Sequence, residues 1–236
     1  MESQQLNKGP VPFSLHHWFI ASCSFSFILL CARVAATGYI TYVFLLWNLF
    51  LAFIPYAISY WLTNNISAIR SKVKFGLAVA GWLLFIPNSF YILTDLFHLR
   101  EIESAPKWFD VLLLVSFAWN GIFFGIVSLQ KMEIILKAVS DKTFSVLFIF
   151  VVMLLNSYGI YIGRVLRYNS WDIIAQPFSL FGEMFEMVLH PFHNKMEWGM
   201  IFCYAVFMTL LYETIRKMAE SFNQFSNHPG KSISPK

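Results

Sequence analysis

Charged residues are scarce in this sequence, and that scarcity is its most informative property. Asp, Glu, Lys and Arg make up 13% of the 236 residues, about half of the roughly 25% typical of soluble domains. Hydrophobic residues make up 58%, and the mean hydropathy is +0.60. This composition excludes a disordered chain, a collagen-like repeat and almost any soluble globular enzyme. It predicts a protein that spans a membrane several times.

Cysteine is also rare, and the common catalytic motifs are missing. The three cysteines, Cys23, Cys31 and Cys203, lie in apolar runs, which is typical of packed membrane thiols rather than a disulfide or metal site. The sequence has no glycine-rich phosphate loop, no Gly-x-Ser-x-Gly, no His-Glu-x-x-His and no paired-cysteine zinc motif. We therefore predict no cofactor and no metal. The net charge of +4 forms no basic stripe, so we expect no nucleic-acid partner.

Six apolar segments are long enough to cross a membrane, which takes about 20 helical residues. We interpret them as helices because a lone strand leaves its backbone unpaired in lipid. They cover residues 18–38, 39–61, 73–93, 111–129, 144–162 and 198–215. Near the end of the first segment we expect Arg33 to snorkel to the surface. Arg33 and a poor cleavage site at 35–36 weaken the alternative of a cleaved signal peptide. The sequence thus predicts an all-α, polytopic transmembrane bundle.

Residues 176–192 have a different pattern, in which apolar and polar side chains recur separately at helical spacing. One stripe contains Phe178, Phe181, Phe185, Val188 and Phe192, and the other contains Ser179, Glu183, Glu186 and His190. Two such stripes predict one amphipathic helix that lies at the membrane interface with its aromatic face in the acyl region. The alternative is a seventh spanning helix with its acidic stripe turned inward.

Basic residues predict the orientation of the bundle. With six spans and the N-terminus inside, Lys and Arg divide 11 to 6 in favour of the cytoplasmic side. A seventh span removes this bias, so we predict six spans and two cytoplasmic termini. The expected divisions are an N-terminal cytoplasmic arm at 1–17, the membrane bundle at 18–218 and a disordered cytoplasmic tail at 219–236.

In this orientation the third and fifth segments both end on the extracytoplasmic side, each in a polar block. Asp95 and His98 are three residues apart, so a continued helix places them on one face, and we name them as candidate catalytic residues. Arg164 and Arg167 have the same spacing and suit an anionic headgroup. The candidate binding residues are Asn88, Tyr91, Asp110, Asn120, Arg164, Arg167, Asn169 and Asp172.

Other interpretations of these blocks remain open. The charged residues also suit an ion-pair collar around two helix ends, in which Asp172 neutralises an arginine. A metal site is a weaker interpretation, because Asp-x-x-His lacks a third ligand. Pro87 removes a backbone donor and frees the carbonyl near Leu83, which Asn88 or Ser89 would satisfy. Asparagines inside the apolar segments are expected to add polar groups to the same pocket: Asn120, Asn156 and, if its face of the second helix turns inward, Asn48.

Four blocks of the sequence resemble the bacterial integral membrane family catalogued as domain of unknown function 1361. They are residues 47–55, 87–96 with His98, 106–110 and 163–172. The Pro-Asn…Thr-Asp-Leu and Arg…Asn-Ser-Trp-Asp blocks are the most specific. The resemblance implies a multi-helix protein of the bacterial inner membrane. It implies no activity, and therefore no catalytic role for any residue.

The leading hypothesis is a membrane protein whose extracytoplasmic pocket binds or modifies an anionic lipid or envelope headgroup. Whether it is an enzyme stays open. The alternatives are a small-solute transporter lined by the asparagines and a non-catalytic assembly protein. The expected partners are membrane lipid, an anionic headgroup ligand and, through a glycine face, another copy of the chain. We expect the Gly-x-x-x-Gly pairs at 121–125 and 159–163 to pack inside the bundle, with a dimer face as the alternative.

Overall fold

The computed structural model describes residues 15–99, 105–139, 142–168 and 175–227, and within these ranges the chain is helical with no strand. The predicted all-α fold is confirmed. The helices are α1 (Leu15–Thr37), α2 (Phe44–Asn64), α3 (Ile66–Arg70), α4 (Lys72–Tyr91), α5 (Lys107–Val139), α6 (Lys142–Arg164), α7 (Pro177–Leu189) and α8 (Lys195–Asn227). A 3₁₀ segment, Ile92–His98, follows α4 directly.

Six of the described helices are long and apolar enough to cross a membrane: α1, α2, α4 with its 3₁₀ extension, α5, α6 and α8. The structure therefore has the six long apolar helices that the sequence predicts, the number that a protein crossing a membrane six times would need. Helix α7 has 13 residues and is about 20 Å long, too short for a hydrocarbon layer of about 30 Å. The seventh-span alternative is wrong. Helix α8 continues to Asn227, so the first part of the expected disordered tail is helical.

Helix α5 lies at the centre of the bundle. It packs against α1, α2, α4 and the 3₁₀ segment, while α6 packs against α4 and α8. Within the apolar stretch of α5, 61% of the residues are buried, against 17% for α1 at the edge. Helix α7 lies outside this bundle and buries Leu180 and Met187. It leaves its phenylalanine stripe exposed, as the amphipathic pattern predicts.

The spanning helices alternate in direction, so their termini form two groups. At one end, here called the Arg164 end, the last residue of α6 contacts Asp95 just beyond α4. At the same end, Asp110 near the start of α5 contacts Arg33 near the end of α1. The opposite end, here called the Glu133 end, contains the last turns of α5 and α8. The third and fifth predicted segments therefore finish on the same side, as the sequence predicts.

Both Gly-x-x-x-Gly pairs pack inside the bundle. A Cβ atom added at Gly159 would lie 2.8 Å from the Pro87 ring, and one added at Gly163 would lie 2.8 Å from the Tyr91 ring. Such distances are too short for side chains, so α6 approaches α4 only because these positions lack one. The other pair faces the end of α4 and the 3₁₀ segment in the same way: Gly121 against Ile92 and Gly125 against Ser89 and Phe90.

Candidate functional site

A buried ion pair forms the centre of the candidate site. Arg164 donates from Nη2 to Oδ1 of Asp95 at 2.6 Å, and Asn48 donates from Nδ2 to Oδ2 of the same carboxylate at 2.8 Å. Arg164 also donates from Nε to the Thr94 hydroxyl at 2.9 Å. Asp95 is 1% exposed, so its negative charge is stabilised by these hydrogen-bond donors rather than by water. Arg164 is the last residue of α6, where a cation is also favoured by the helix dipole.

The Tyr91 ring fixes the guanidinium from another side. The Arg164 Cζ lies 4.4 Å from the ring centroid, a distance at which a cation is attracted to an aromatic face. Thr94 donates its hydroxyl hydrogen to the Tyr91 carbonyl at 2.6 Å, so its oxygen is oriented to accept from Arg164. Charge, hydrogen bonding and ring contact together hold Arg164 in one position.

Asn48 lies at a different depth from the one expected. The sequence segment begins at residue 39, which places Asn48 near mid-membrane. Helix α2 instead begins at Phe44, so Asn48 lies in its second turn and reaches Asp95 at the Arg164 end. The Asn48 side chain points into the bundle, which is the orientation that a contribution to the polar pocket requires.

A cavity of about 790 Å³ adjoins the ion pair, within the range of 300–1,000 Å³ found for small-molecule sites. Helices α2, α4 and α6 form its walls, and α7 covers one side with Leu180, Phe181 and Met184. Its polar groups gather at the Arg164 end: Asn48, Asn88, Tyr91, Asp95, Arg164 and Tyr168. The rest is apolar, with Leu51, Ala80, Leu83, Leu84, Leu155 and Ile162.

The cavity opens on the lateral surface of the bundle. Three of its lining residues are about half exposed: Trp47 at 50%, Leu84 at 46% and Leu155 at 48%. Along α6, Leu155 precedes Arg164 by nine residues, or about 14 Å. The cavity therefore extends from the polar helix ends through about half of a hydrocarbon layer of roughly 30 Å.

Pro87 interrupts the hydrogen bonding of α4 next to this cavity. Asn88 donates from Nδ2 to the Phe85 carbonyl at 3.2 Å, rather than to the Leu83 carbonyl that the sequence indicates. Ser89 donates to the Ala52 carbonyl of α2 at 3.0 Å and is fully buried. Asn88 lines the cavity, whereas Ser89 fastens α4 to α2.

Asp110 lies outside the cavity and forms a second buried ion pair. Arg33 donates from Nε to Oδ1 at 2.7 Å and from Nη2 to Oδ2 at 3.2 Å. Arg33 is 1% exposed, and its guanidinium lies over the Tyr42 ring at 4.4 Å. The snorkelling prediction is wrong, because a buried carboxylate on α5 neutralises Arg33 inside the bundle.

Asn120 also lies elsewhere and joins α5 to α1. Its Oδ1 accepts from the Ser22 hydroxyl at 2.6 Å, and its Nδ2 donates to the Ser26 hydroxyl at 2.9 Å. Asn156 is fully buried and does not line the cavity. The predicted single pocket built from five spans therefore does not form. Asn48 and Asn88 reach the cavity, and the other two asparagines do not.

The two arginines do not share a face. Helix α6 ends at Arg164, and Arg167 follows in a left-handed conformation with φ of 62°. Arg167 is exposed and does not line the cavity. The predicted residues Asn169 and Asp172, and the side chain of His98, lie outside the described part of the chain. Within that part, no three His, Cys, Asp or Glu side chains come together as a metal site needs.

Family membership follows from a comparison with known proteins. The model for a family of proteins of unknown function, DUF1361, matches residues 47–211. The chain belongs to the DUF1361 family. The match covers every residue that lines the cavity except Phe44, so nearly all of the cavity lies within the family region. No curated protein and no solved structure matches the chain.

In this DUF1361 protein the hydroxyl of Tyr168 contacts α7, and the sequence did not predict this contact. The hydroxyl lies 2.5 Å from the Ser179 hydroxyl and donates to Glu183 at 3.1 Å. Tyr158 donates to the Met184 carbonyl at 3.1 Å. These bonds hold α7 over the cavity. The buried side chains of α7, Leu180 and Met187, face the bundle, while Ser179 and Glu183 remain exposed and contact Tyr168 just beyond the end of α6. The spacing of Ser179 and Glu183 is a signal for such a contact, but it does not identify the partner.

A polar cluster at the Glu133 end was also missed. Glu133 is 3% exposed and accepts from the Tyr212 hydroxyl, from Arg216 Nη1 at 2.8 Å and from Lys137 at 2.6 Å. Arg216 also contacts Glu213. The signal in the sequence is one acid in the apolar last part of α5. The cluster fastens α5 to α8 and lies far from the cavity.

Proposed function

We propose that this protein binds an anionic lipid or envelope headgroup in the cavity beside Arg164, on the extracytoplasmic side of a bacterial inner membrane. One observation carries the proposal. A single laterally open cavity combines a fixed arginine at its polar end with apolar walls that continue for about 14 Å. A lipid has the same division, because its charged headgroup is joined to an apolar chain.

The charge of the polar end favours an anion over a neutral headgroup. Among the described residues that line the cavity, Arg164 is the only cation, and its side chain is 15% exposed. Guanidinium groups bind phosphate and carboxylate oxygens through directed hydrogen bonds. Asn88 and Tyr168 line the same end and supply further polar contacts. Asp95 limits the net charge, so the site suits a monoanion better than a multiply charged headgroup.

The shape of the cavity favours a ligand from the bilayer. The half-exposed Trp47, Leu84 and Leu155 leave a lateral opening at hydrocarbon depth, through which a chain enters without crossing water. The aromatic face of α7 is exposed beside this opening, with Phe178 at 93%. A helix of this kind rests at the headgroup boundary, where a lipid headgroup would meet Arg164.

The proposed sidedness rests on the basic residues of the loops, whose bias favours an arrangement with both termini in the cytoplasm. With six spans, the Arg164 end is then extracytoplasmic. A role for Asp95 and His98 in modifying the ligand stays a prediction. Both oxygens of Asp95 already accept hydrogen bonds from Arg164 and Asn48, which favours a positioning role for the carboxylate.

The arrangement gives less support to a solute transporter. Such a path would connect the four asparagines of the spanning helices. Asn120 is bonded to two serines of α1, and Asn156 is buried away from the cavity. The polar groups are therefore divided among separate contacts rather than aligned along a path.

Lipid binding can be measured in nanodiscs of phosphatidylcholine containing a small fraction of phosphatidylglycerol, with native mass spectrometry to count retained lipids. We expect the wild-type protein to retain phosphatidylglycerol preferentially. Arg164→Gln should weaken this preference about tenfold, as loss of one charge-assisted hydrogen bond does. Arg167→Gln is the matched control, since Arg167 is an exposed arginine three residues away that does not line the cavity.

A second variant keeps the test valid if Arg164→Gln fails to fold. Leu84→Trp fills the apolar part of the cavity without touching the ion pair, and its position is 46% exposed. It should also reduce retention of phosphatidylglycerol. Equal retention by wild type, Leu84→Trp and Arg164→Gln would contradict the proposed lipid site.

A further inference from the structure

A second groove lies between α1 and α2, on another side of the bundle from the cavity of Arg164. It has a volume of about 410 Å³, and Phe124 of α5 forms its back wall. Its lining is largely aromatic and includes Phe19, Phe53 and Tyr56. The rings of Phe53 and Phe124 meet at 5.4 Å and 74°, and those of Phe19 and Tyr56 at 5.8 Å and 87°. The edge-to-face contacts make a rigid wall.

One end of this groove is polar. The Tyr56 hydroxyl lies 3.1 Å from Nδ1 of His16, and His16 is exposed. If the tyrosine donates, His16 carries its proton on Nε2 and presents that N–H. If His16 donates from Nδ1, the tyrosine presents its O–H instead. In both tautomers the pair retains one donor for an outside acceptor.

A cation lies on the other side of the Tyr60 ring from this donor. Lys131 Nζ is 5.1 Å from the ring centroid of Tyr60, and the Tyr60 ring is 5.7 Å from that of His16. Lys131 forms no ion pair with any residue that the structure describes. Tyr60 and Lys131 lie just beyond the residues that line the groove. The groove therefore ends in a hydrogen-bond donor with a positive charge one ring further out, and an anionic acceptor is complementary to both.

The polar end of the groove lies towards the Glu133 end of the bundle. His16 begins α1, Tyr60 is near the end of α2 and Lys131 is in the last third of α5. From Tyr56 the groove reaches Leu46, ten residues earlier on α2 and about 15 Å away. Leu46 lies in the first turn of α2, so the groove runs from its polar end across the middle of the bundle towards the Arg164 end.

We propose that this groove is a second lipid site, which binds a fatty acid with its carboxylate at the end of the bundle opposite the polar end of the Arg164 cavity. The carboxylate oxygen of the fatty acid accepts from the pair of His16 and Tyr56, and Lys131 balances its charge. The chain lies along Phe19, Phe53 and Phe124. This proposal uses no residue of the first site.

Photolabelling distinguishes this site from ordinary bilayer contact. The protein in phosphatidylcholine nanodiscs is labelled with a diazirine fatty acid or with the matching neutral fatty alcohol, and the modified peptides are mapped by mass spectrometry. We expect the acid to label α1 and α2 along the groove in preference to the alcohol. His16→Ala and Lys131→Gln should each reduce labelling by the acid about tenfold, while His17→Ala, the adjacent control, leaves it unchanged.

The thiol of Cys23 gives an independent measurement, because it lines the groove. In a Cys31→Ser/Cys203→Ser protein, added oleate should slow alkylation of Cys23 more than oleyl alcohol does. The control retains only Cys31, which is exposed and outside the groove. Equal effects of acid and alcohol in both experiments would overturn the proposal. Arg164→Gln should change neither result, and an effect of that variant would contradict a separate second site.

Discussion

The Asp95 carboxylate lies 2.6 Å from the Arg164 guanidinium, although the two residues are 69 positions apart in sequence. Their contact joins the end of α4 to the end of α6 and fixes the cation at the polar end of the cavity. The same pair thus holds two helices together and defines the electrostatics of the candidate site. Its contribution to stability and its contribution to binding can be separated by substitution.

Removing one member of this pair should destabilise the protein strongly. Asp95→Ala leaves the arginine without its carboxylate, and breaking a buried pair from one side costs about 3–5 kcal/mol. Thermal unfolding in detergent, followed by tryptophan fluorescence, measures the loss. The Asp95→Ala/Arg164→Ala double variant should lose less than the sum of the single losses, because the two residues contact each other. Additive losses would show that the pair is not coupled.

The buried pair of Arg33 and Asp110 should behave in the same way at the other side of the Arg164 end. Asp110→Ala should cost about 3–5 kcal/mol, since Arg33 would be left charged and 1% exposed. A double replacement by Arg33→Met and Asp110→Leu should restore most of the stability. A loss below about 1 kcal/mol for the single variant would indicate that Arg33 reaches the surface, as an exposed pair would allow.

Helix α6 should tolerate no side chain at its two close contacts with α4. Gly159→Ala places a Cβ 2.8 Å from Pro87, and Gly163→Ala places one 2.8 Å from Tyr91. Each should cost about 1–3 kcal/mol through overpacking. Gly199→Ala is the control, because nothing lies within 4 Å of a Cβ at that helical position. It should be neutral or stabilise by about 0.4–1 kcal/mol, and equal melting temperatures for all three variants would refute the close approach.

At the Glu133 end, the two cations that contact Glu133 should contribute differently to the stability of the protein. The Arg216 side chain is 19% exposed and bridges Glu133 to Glu213, whereas Lys137 is 44% exposed. Lys137→Gln should cost about 0–1 kcal/mol, as exposed ion pairs do, and Arg216→Gln should cost more. The comparison is made by thermal unfolding at low and high salt. A larger loss for Lys137→Gln would contradict the described arrangement.

The orientation is tested by labelling single cysteines in a protein whose native cysteines are replaced by serine. Tyr39→Cys lies at the Arg164 end and Lys72→Cys at the Glu133 end, and both positions are exposed. A membrane-impermeant maleimide applied to intact cells should label Tyr39→Cys, and it should label Lys72→Cys only after permeabilisation. The reverse pattern would place the cavity of Arg164 on the cytoplasmic side.

Local regularities of the sequence predicted much of this fold. The six spans follow from uninterrupted hydropathy, because lipid admits only helices with internally paired backbones. Helix α7 follows from the alternation of Phe178, Phe181 and Phe185 with Ser179 and Glu183. The glycine pairs at 121–125 and 159–163 indicated close packing, and the structure identifies the helices that they approach.

The sequence was less informative where a residue's environment depends on a distant partner. The position of Arg33 near a helix end predicts snorkelling. Nothing in the neighbouring sequence reveals that Arg33 forms an ion pair with Asp110, 77 residues later. Arg164 and Arg167 have the spacing of a helical pair, but the helix ends between them. Asn48 was misplaced because its helix begins five residues later than the apolar segment.

The sequence by itself determined the class of the protein, the number of its spans and the end at which two polar blocks meet. These follow from hydrophobicity and period, which are properties of each segment alone. Only the tertiary structure decided which charges pair, which asparagines reach the cavity and which side of α7 faces α6. Such choices depend on helix rotation and neighbours, since a buried charge is stable only beside the partner that packing brings to it.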